Sequence, residues 1–269
     1  MVSGSRYDGV IFGISGGSAS NVLLENGGQL SVLSGHSAIS TMVSSGGKVM
    51  VSGTTTSTVI NSAGREEVYS GGTASNTVIS SGGAQVINDG GSAVSAAVSS
   101  GGVQIVSSGG KASNTVISSG GAQVINDGGS AVSAAVSSGG FLIVLSGGLA
   151  SATVADAGGV VSVASGGAAI GTVINSGGSQ VINSSGSAVS AAVSSGGVQI
   201  VSSGGKASNT VISSGGAQVI NDGGSAVSAA VSSGGFQIIS SGGKASNTVI
   251  SSGGVVSVTS GGSATNINQ

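Results

Sequence analysis

The sequence predicts an all-β fold, a right-handed parallel β-helix (β-solenoid) of about fourteen 19-residue coils. Three observations carry it. Glycine pairs recur at steps that alternate between 11 and 8 residues. Small and β-branched residues return at fixed places between those pairs. No segment between pairs exceeds about nine residues, too short for a helix and right for strands.

The glycine rhythm sets the unit. From residue 72 onward, pairs begin at 82, 90, 101, 109, 120 and 128 and continue to 261, a period of 19 residues. One slot reads Ser185-Gly186 without breaking the phase. Upstream the phase passes through Gly17, His36 and Gly53, and the short step from His36 to Gly53 predicts a trimmed turn. Residues 1–269 are therefore expected to form a single β-helical repeat domain, irregular over 1–71, where Tyr7 and the Thr54–Thr58 run depart from the cleanest repeats, and regular over 72–269. Residues 74–102 also recur letter for letter at 112–140 and 207–235, so pairs of coils have been copied as blocks. Repetition multiplies one surface, whereas catalysis needs one unique constellation.

Within the unit, positions are counted from the second glycine of one pair (Gly72, Gly91, Gly110). Position 3 is Ala in nearly every coil, as at Ala74, Ala93 and Ala112. Position 8 is Ile, Val or Leu, with Ala155 the exception, and position 16 is Val or Ile throughout. Such columns are expected where stacked coils share an interior. Each coil then holds two or three short strands, with glycine pairs supplying positive φ at the corners. Position 14 carries Gln85, Gln104, Gln123, Gln180, Gln199, Gln218 and Gln237. Amides at rung spacing either hydrogen-bond into ladders or tolerate an exposed strand position, and the sequence leaves both open.

Composition removes several classes. With no cysteine there is neither a disulfide framework nor a thiolate metal site. Collagen needs proline and a three-residue glycine period, and neither is present. Six Lys/Arg against eight Asp/Glu give a net charge of −2, so no nucleic-acid partner is expected. Charged residues are only 5% of the chain, so the coil faces are expected to be polar and weakly charged. No stretch approaches the ~20 apolar residues of a membrane-spanning helix. No leader is visible at Met1, both ends read as cut from a longer array, and caps are expected outside it.

Chemistry-bearing residues are few, and no catalytic, cofactor or metal site is expected. His36 occupies a turn slot. Glu66 and Glu67 are adjacent in one strand and point to opposite faces, so they make no carboxylate pair; with Arg65 they read as a solvated face. Asp89, Asp127 and Asp222 sit in Asn-Asp-Gly-Gly turns that lack the calcium β-roll pattern and read as turn formers. Lys48, Lys111, Lys206 and Lys244 follow glycine pairs without completing a phosphate loop. Asn183-Ser184-Ser185 is a single glycosylation sequon, expected by chance in so serine-rich a chain. A β-helix enzyme acting on polysaccharide would need carboxylates gathered in a groove, and the acids here are scattered. An ice-binding solenoid would need regular threonine rows, and Thr55, Thr77, Thr115, Thr153, Thr172, Thr210 and Thr248 are read as forming no single adjacent-rung column.

The units ASNTVISSGGAQVINDGG and SAVSAAVSSGGVQIVSSGG closely resemble the 19-residue passenger repeats of the AIDA-I, TibA and antigen 43 group, self-associating autotransporter adhesins of Gram-negative bacteria. The resemblance covers essentially the whole chain. It implies a secreted passenger at the bacterial surface, attached to the outer membrane by a separate translocator barrel. It further implies autoaggregation, biofilm formation and attachment to host cells. Its partners would be a heptosyltransferase, other passengers and the host cell surface. The implied acceptors of O-linked heptose are serines before the glycine pairs: Ser81, Ser100, Ser119, Ser138, Ser195, Ser214, Ser233 and Ser252 at one corner, and Ser108, Ser146, Ser203 and Ser241 at the other.

Overall fold

The computed structural model describes residues 2–5, 11–14 and 17–269, so Tyr7 lies outside the described residues. The chain divides into two compact units, Met1–Val132 and Ser133–Gln269. Each is a parallel β-solenoid, and together they comprise about 13 turns 19 residues apart. A regular coil holds three strands of four, three and two residues, for example Ala84–Ile87, Ser92–Val94 and Ala97–Val98. Each pairs in parallel with its counterpart one repeat away: Gln85 lies beside Gln104, Ala93 beside Ala112, and Val98 beside Ile117.

The three apolar columns are the core. In one coil Ala112, Ile117 and Ile125 are all at most 1% exposed. Ala155, the odd residue of its column, is equally buried. The Gln column is buried too, which settles the open alternative in favour of the ladder. The Gln104 amide donates to Gln85 Oε1 at 2.7 Å and that of Gln123 to Gln104 Oε1 at 2.5 Å. In the second unit the Gln199, Gln218 and Gln237 amides each donate to the preceding Gln, at 2.8, 2.6 and 2.8 Å. A second inward column accompanies the ladder. Thr77, Thr115, Thr153, Thr172, Thr210 and Thr248 share position 6 and are buried, with Ala at that position in the intervening coils. Thr55 stands at position 3 instead and Ala interrupts the rest, so the seven make no single adjacent-rung column, as expected, and within each unit the position-6 threonines face the core where no ice surface could reach them. Thr115 and Thr210 hydroxyls donate to Gln104 and Gln199 at 3.1 and 3.2 Å.

The two glycines of a pair do different work. Ser81 (φ 49°) and Gly82 (φ 78°) are the central residues of a type I′ turn closed by Gly83 N–H donating to the Ser80 carbonyl at 2.8 Å. Positive φ therefore belongs to the first glycine and the residue before it, not to both glycines. The second glycine is needed for proximity. A Cβ on Gly83 or Gly129 would overlap the carbonyl oxygen of Ile60 or Val106 in the preceding coil. The third corner has no glycine pair. It turns on a single left-handed residue, Asn76, Ser95, Asn114 or Ser133 in successive coils. The shortened step before Gly53 is a trimmed turn, as expected: Val51 ends one strand and Thr54 begins the next.

Two features differ from expectation. Strand Gln29–Val32 is covered by antiparallel strand Val2–Ser5, which itself pairs with Ile11–Ile14, so the chain supplies its own cover for this sheet edge. The outward positions of the four-residue strands are also mostly apolar from Ala84 onward, with Val86, Ile105 and Val124 in the first unit and Ser162, Ser179 and Ser257 the polar exceptions.

The separate roles of the paired glycines give an ordered prediction. Gly128→Ala should cost about 1–2 kcal/mol for an alanine held at positive φ, because its Cβ has space. Gly129→Ala should cost about 3 kcal/mol, at the upper end of overpacking, comparable to placing a charge in the core with Ile125→Asp. Thermal unfolding followed by circular dichroism would rank them. Equal costs for both glycines would contradict the assignment.

Candidate functional site: serine corners and the buried glutamate

The serine-rich corners arise from the type I′ turn. Its first central residue must adopt φ near +50° and projects outward, with the second central position held by glycine. Ser81, Ser100, Ser119, Ser138, Ser195, Ser214 and Ser233 occupy that place at one corner with φ between 48° and 52°. Ser108, Ser203 and Ser241 occupy it at the other. All twelve serines named above, Ser146 and Ser252 included, are exposed, whereas the serines one residue earlier, such as Ser99 and Ser213, are half-buried, with Ser251 the exception. Backbone bonds stack the corners: Ser195 N–H donates to Ser214 O at 2.9 Å, Ser214 to Ser233 at 2.8 Å, and Ser233 to Ser252 at 2.9 Å. The hydroxyls thereby form rows at rung spacing. Ser45, Ser70, Ser165, Ser176 and Ser260 also precede glycine pairs and are exposed, and the same motif could have found them.

Asp89, Asp127 and Asp222 take this turn position at φ 50°, 46° and 45°, in keeping with a turn-forming role. Among the described residues no three His, Asp or Glu side chains converge in a metal-binding group. His36 closes a turn, its N–H donating to the Leu33 carbonyl at 3.1 Å and its Nδ1 lying 2.8 Å from the Ser34 carbonyl oxygen. Lys111, Lys206 and Lys244 begin three-residue strands, and Lys48 a four-residue one, so strands follow where a phosphate loop requires a helix. Ser184 and Ser185 of the sequon are the central turn residues, at φ 44° and 67°.

Glu66 and Glu67 overturn the expected solvated face. Their side chains do point oppositely, but neither is exposed. Glu66 stands at position 14, in the Gln column, and is 0% exposed. Its Oε1 accepts from the Thr55 and Thr58 hydroxyls at 2.8 and 3.1 Å. Its Oε2 accepts from Gln85 Nε2 at 2.7 Å and the Thr77 hydroxyl at 3.2 Å. The carboxyl thus ends the amide ladder of the first unit by accepting its last donor. Burial raises its pKa above the usual carboxylate range despite these four donors. Glu67, on the outer side, is 7% exposed. It pairs with Lys48 Nζ at 2.8 Å and Arg65 Nε at 2.6 Å and accepts from the Tyr69 hydroxyl. Its burial acts upward, but Lys48, Tyr69 and Arg65 outweigh it and its pKa falls. The Tyr69 hydroxyl, bonded to Glu67, is pushed up to about 12. Sequence reasoning missed both roles; the signal for Glu66 was its place in the glutamine register.

The raised Glu66 pKa fixes a pH dependence. The folded chain keeps a proton that the unfolded chain releases above its ordinary value of 4.5. The associated stability is full below that value and is lost as pH rises through the folded one. Glu66→Gln is therefore expected to melt higher than wild type at pH 8, with the advantage shrinking towards pH 4. A constant difference across that range, measured by thermal melts, would contradict this.

Comparison with known proteins agrees with this geometry. A family model described as "Adhesin of bacterial autotransporter system, probable stalk" matches residues 3–64, 68–121, 108–159, 160–216 and 203–254. Among curated proteins none matches. Among solved structures, the chain is similar to a hyper-glycosylated TibA fragment whose glycosylation TibC catalyses. Identity is 42%, coverage is 94% of this chain and 93% of that one, and the TM-score is 0.92.

Proposed function

The chain belongs to the family of bacterial autotransporter adhesin stalks, and from that premise we propose that it is a surface passenger whose corner serines accept O-linked heptose. In this reading a heptosyltransferase joins each Ser Oγ to the anomeric carbon of an activated heptose, and the nucleotide leaves. The decorated passenger is held at the outer membrane by a translocator and engages other passengers and host cell surfaces. Its role is structural and adhesive rather than catalytic.

The observation that carries the reading is the choice of residue at the turn. Asn, Asp and Gly enter the left-handed region at lower cost than Ser. A sequence selected for turn geometry alone would use them freely, as the third corner does at Asn76, Asn114, Asn209 and Asn247, in alternation with Ser95, Ser133, Ser190 and Ser228. The first corner instead keeps Ser at 81, 100, 119 and 138, and again at 195, 214 and 233. An exposed hydroxyl on a tight turn is open to a transferase, and the TibC-catalysed glycosylation of the similar TibA fragment supports the same chemistry here. Repetition then supplies avidity from individually weak contacts. Against an enzyme acting on polysaccharide, Glu66 is committed to the core and Glu67 to its ion pairs.

Replacing Ser195, Ser214 and Ser233 together by Gly removes three acceptors while relaxing three strained turns. The variant, co-produced with a bacterial heptosyltransferase, should lose up to three heptose increments by mass spectrometry with no fall in melting temperature. Unmodified corner peptides in the wild-type chain, or sugars on half-buried Ser194, Ser213 and Ser232 instead, would refute the proposal.

A further inference from the structure

Every described Lys and Arg takes the same place relative to a turn: Lys48, Arg65, Lys111, Lys206 and Lys244 each begin a strand three residues after a serine. Those serines, Ser45, Ser62, Ser108, Ser203 and Ser241, are the first central residues of their turns, at φ between 45° and 49°. Lys48 and Arg65 are held by Glu67. Lys111, Lys206 and Lys244 are exposed, and no carboxylate among the described residues pairs with them. Their strand neighbours are uncharged, as with Ser225 and Ser263 on either side of Lys244.

Charge balance does not account for this placement. Asp89, Asp127 and Asp222 occupy the same turn position, and a lysine three residues on would offer each an ion partner from its own turn. Ser92, Ser130 and Ser225 stand there instead. The cation goes with the hydroxyl and not with the carboxylate. Geometry brings the two together. The turn of Ser241 is closed by Gly243 N–H donating to the Ser240 carbonyl at 2.7 Å, and Lys244 follows directly. Such a turn holds its ends within ~7 Å, a span that the flexible four-carbon stem of lysine covers. The ammonium therefore reaches a group bound at the serine hydroxyl.

We propose that Lys111, Lys206 and Lys244 are specificity determinants for sugar acceptance, each holding the phosphate of the nucleotide-activated heptose while the serine of its own turn is modified. The inference rests on the glycosylation reading and deepens it. In the step, Ser Oγ bonds to the anomeric carbon, the bond from that carbon to the phosphate oxygen breaks, and its electron pair leaves with the nucleotide. The hydroxyl proton passes to a base of the transferase. Negative charge grows on the departing phosphate, where a lysine supplies a compact positive point charge. Serines followed by an uncharged residue at that spacing, such as Ser252 before Val255 or Ser146 before Leu149, lack this help. Ser108, Ser203 and Ser241 are therefore the preferred acceptors of the second corner.

The test uses the full chain with a bacterial heptosyltransferase and its nucleotide-activated heptose, and follows occupancy of Ser233, Ser241 and Ser252 over time by peptide mass spectrometry. Lys244→Gln should slow acceptance at Ser241 by about threefold or more, with Ser233 unchanged, and Lys244→Arg should restore the rate. Val255→Lys places a cation after Ser252 on an exposed strand start and should speed acceptance there by a similar factor. Both differences should shrink between about 0.01 M and about 1 M salt, as the screening length falls from ~30 Å to ~3 Å. The change should fall on kcat and on the KM for the donor. A change confined to the KM for the chain would place the lysine against a carboxylate of the transferase and overturn the donor contact. Heptose at all three serines, at rates indifferent to both Lys244→Gln and Val255→Lys, would overturn the lysine's role and leave the glycosylation reading standing. No heptose at any of them in the wild type would remove both.

Discussion

Everything in this molecule depends on one constraint: within each unit a coil hydrogen-bonds in parallel to the next with a register of 19 residues in the regular repeats, so a residue lies beside the residue of the same position. A position must therefore be compatible with copies of itself. Alkyl groups meet that condition in the core, and primary amides meet it because each has a donor for one neighbour and an acceptor for the other. Charges do not. The described charged residues accordingly sit between neutral neighbours, as Lys206 does between Ser187 and Ser225. The one place where cations adjoin, Lys48 beside Arg65, has Glu67 bonded to both. A charged content of 5% follows from the stacking itself.

The same constraint explains why so much was legible in the sequence. A column of Ala, Ile or Val recurring every 19 residues can only be a shared interior, so the core could be read from spacing alone. Corners were legible as glycine pairs, but the pair concealed two different demands: one glycine answers a dihedral requirement and the other the approach of a carbonyl. The third corner stayed hidden because Asn and Ser meet its single left-handed position without any glycine signature. Glu66 was misread because a carboxylate is ordinarily exposed. Its burial depends on four donors from two coils, its own and the next, which no local pattern displays. The outward apolar positions were misread for a related reason. Val and Ile are expected in strands for backbone reasons as well as for burial, so composition could not separate the two sides.

Function follows from stacking as directly as the fold does. A feature that appears once on a coil becomes a row when coils are superimposed. An exposed serine at a corner becomes a line of hydroxyls, and an outward valine becomes an apolar band. A single weak contact would do little by itself, and the array converts it into many at fixed spacing. Diversity among coils is correspondingly concentrated where repetition would be harmful, as with Asp in alternate turns and Lys in alternate strands.

Where the repeat is interrupted, the interruptions obey the same rule. An amide ladder has a direction, so its acceptor end needs either a group that takes a hydrogen bond without offering another donor or a nearby hydroxyl to accept the surplus one. Glu66 meets that need in the first unit, where a carboxyl lies between Val49 on one side and Gln85 on the other. In the second unit Gln180 lies beside Val161, and its amide turns to the Thr172 hydroxyl at 2.9 Å within its own coil. Two different residues thus solve one problem set by the polarity of the ladder. The threonine column is what makes either solution possible, because it provides hydroxyls beside the ladder that can both donate and accept.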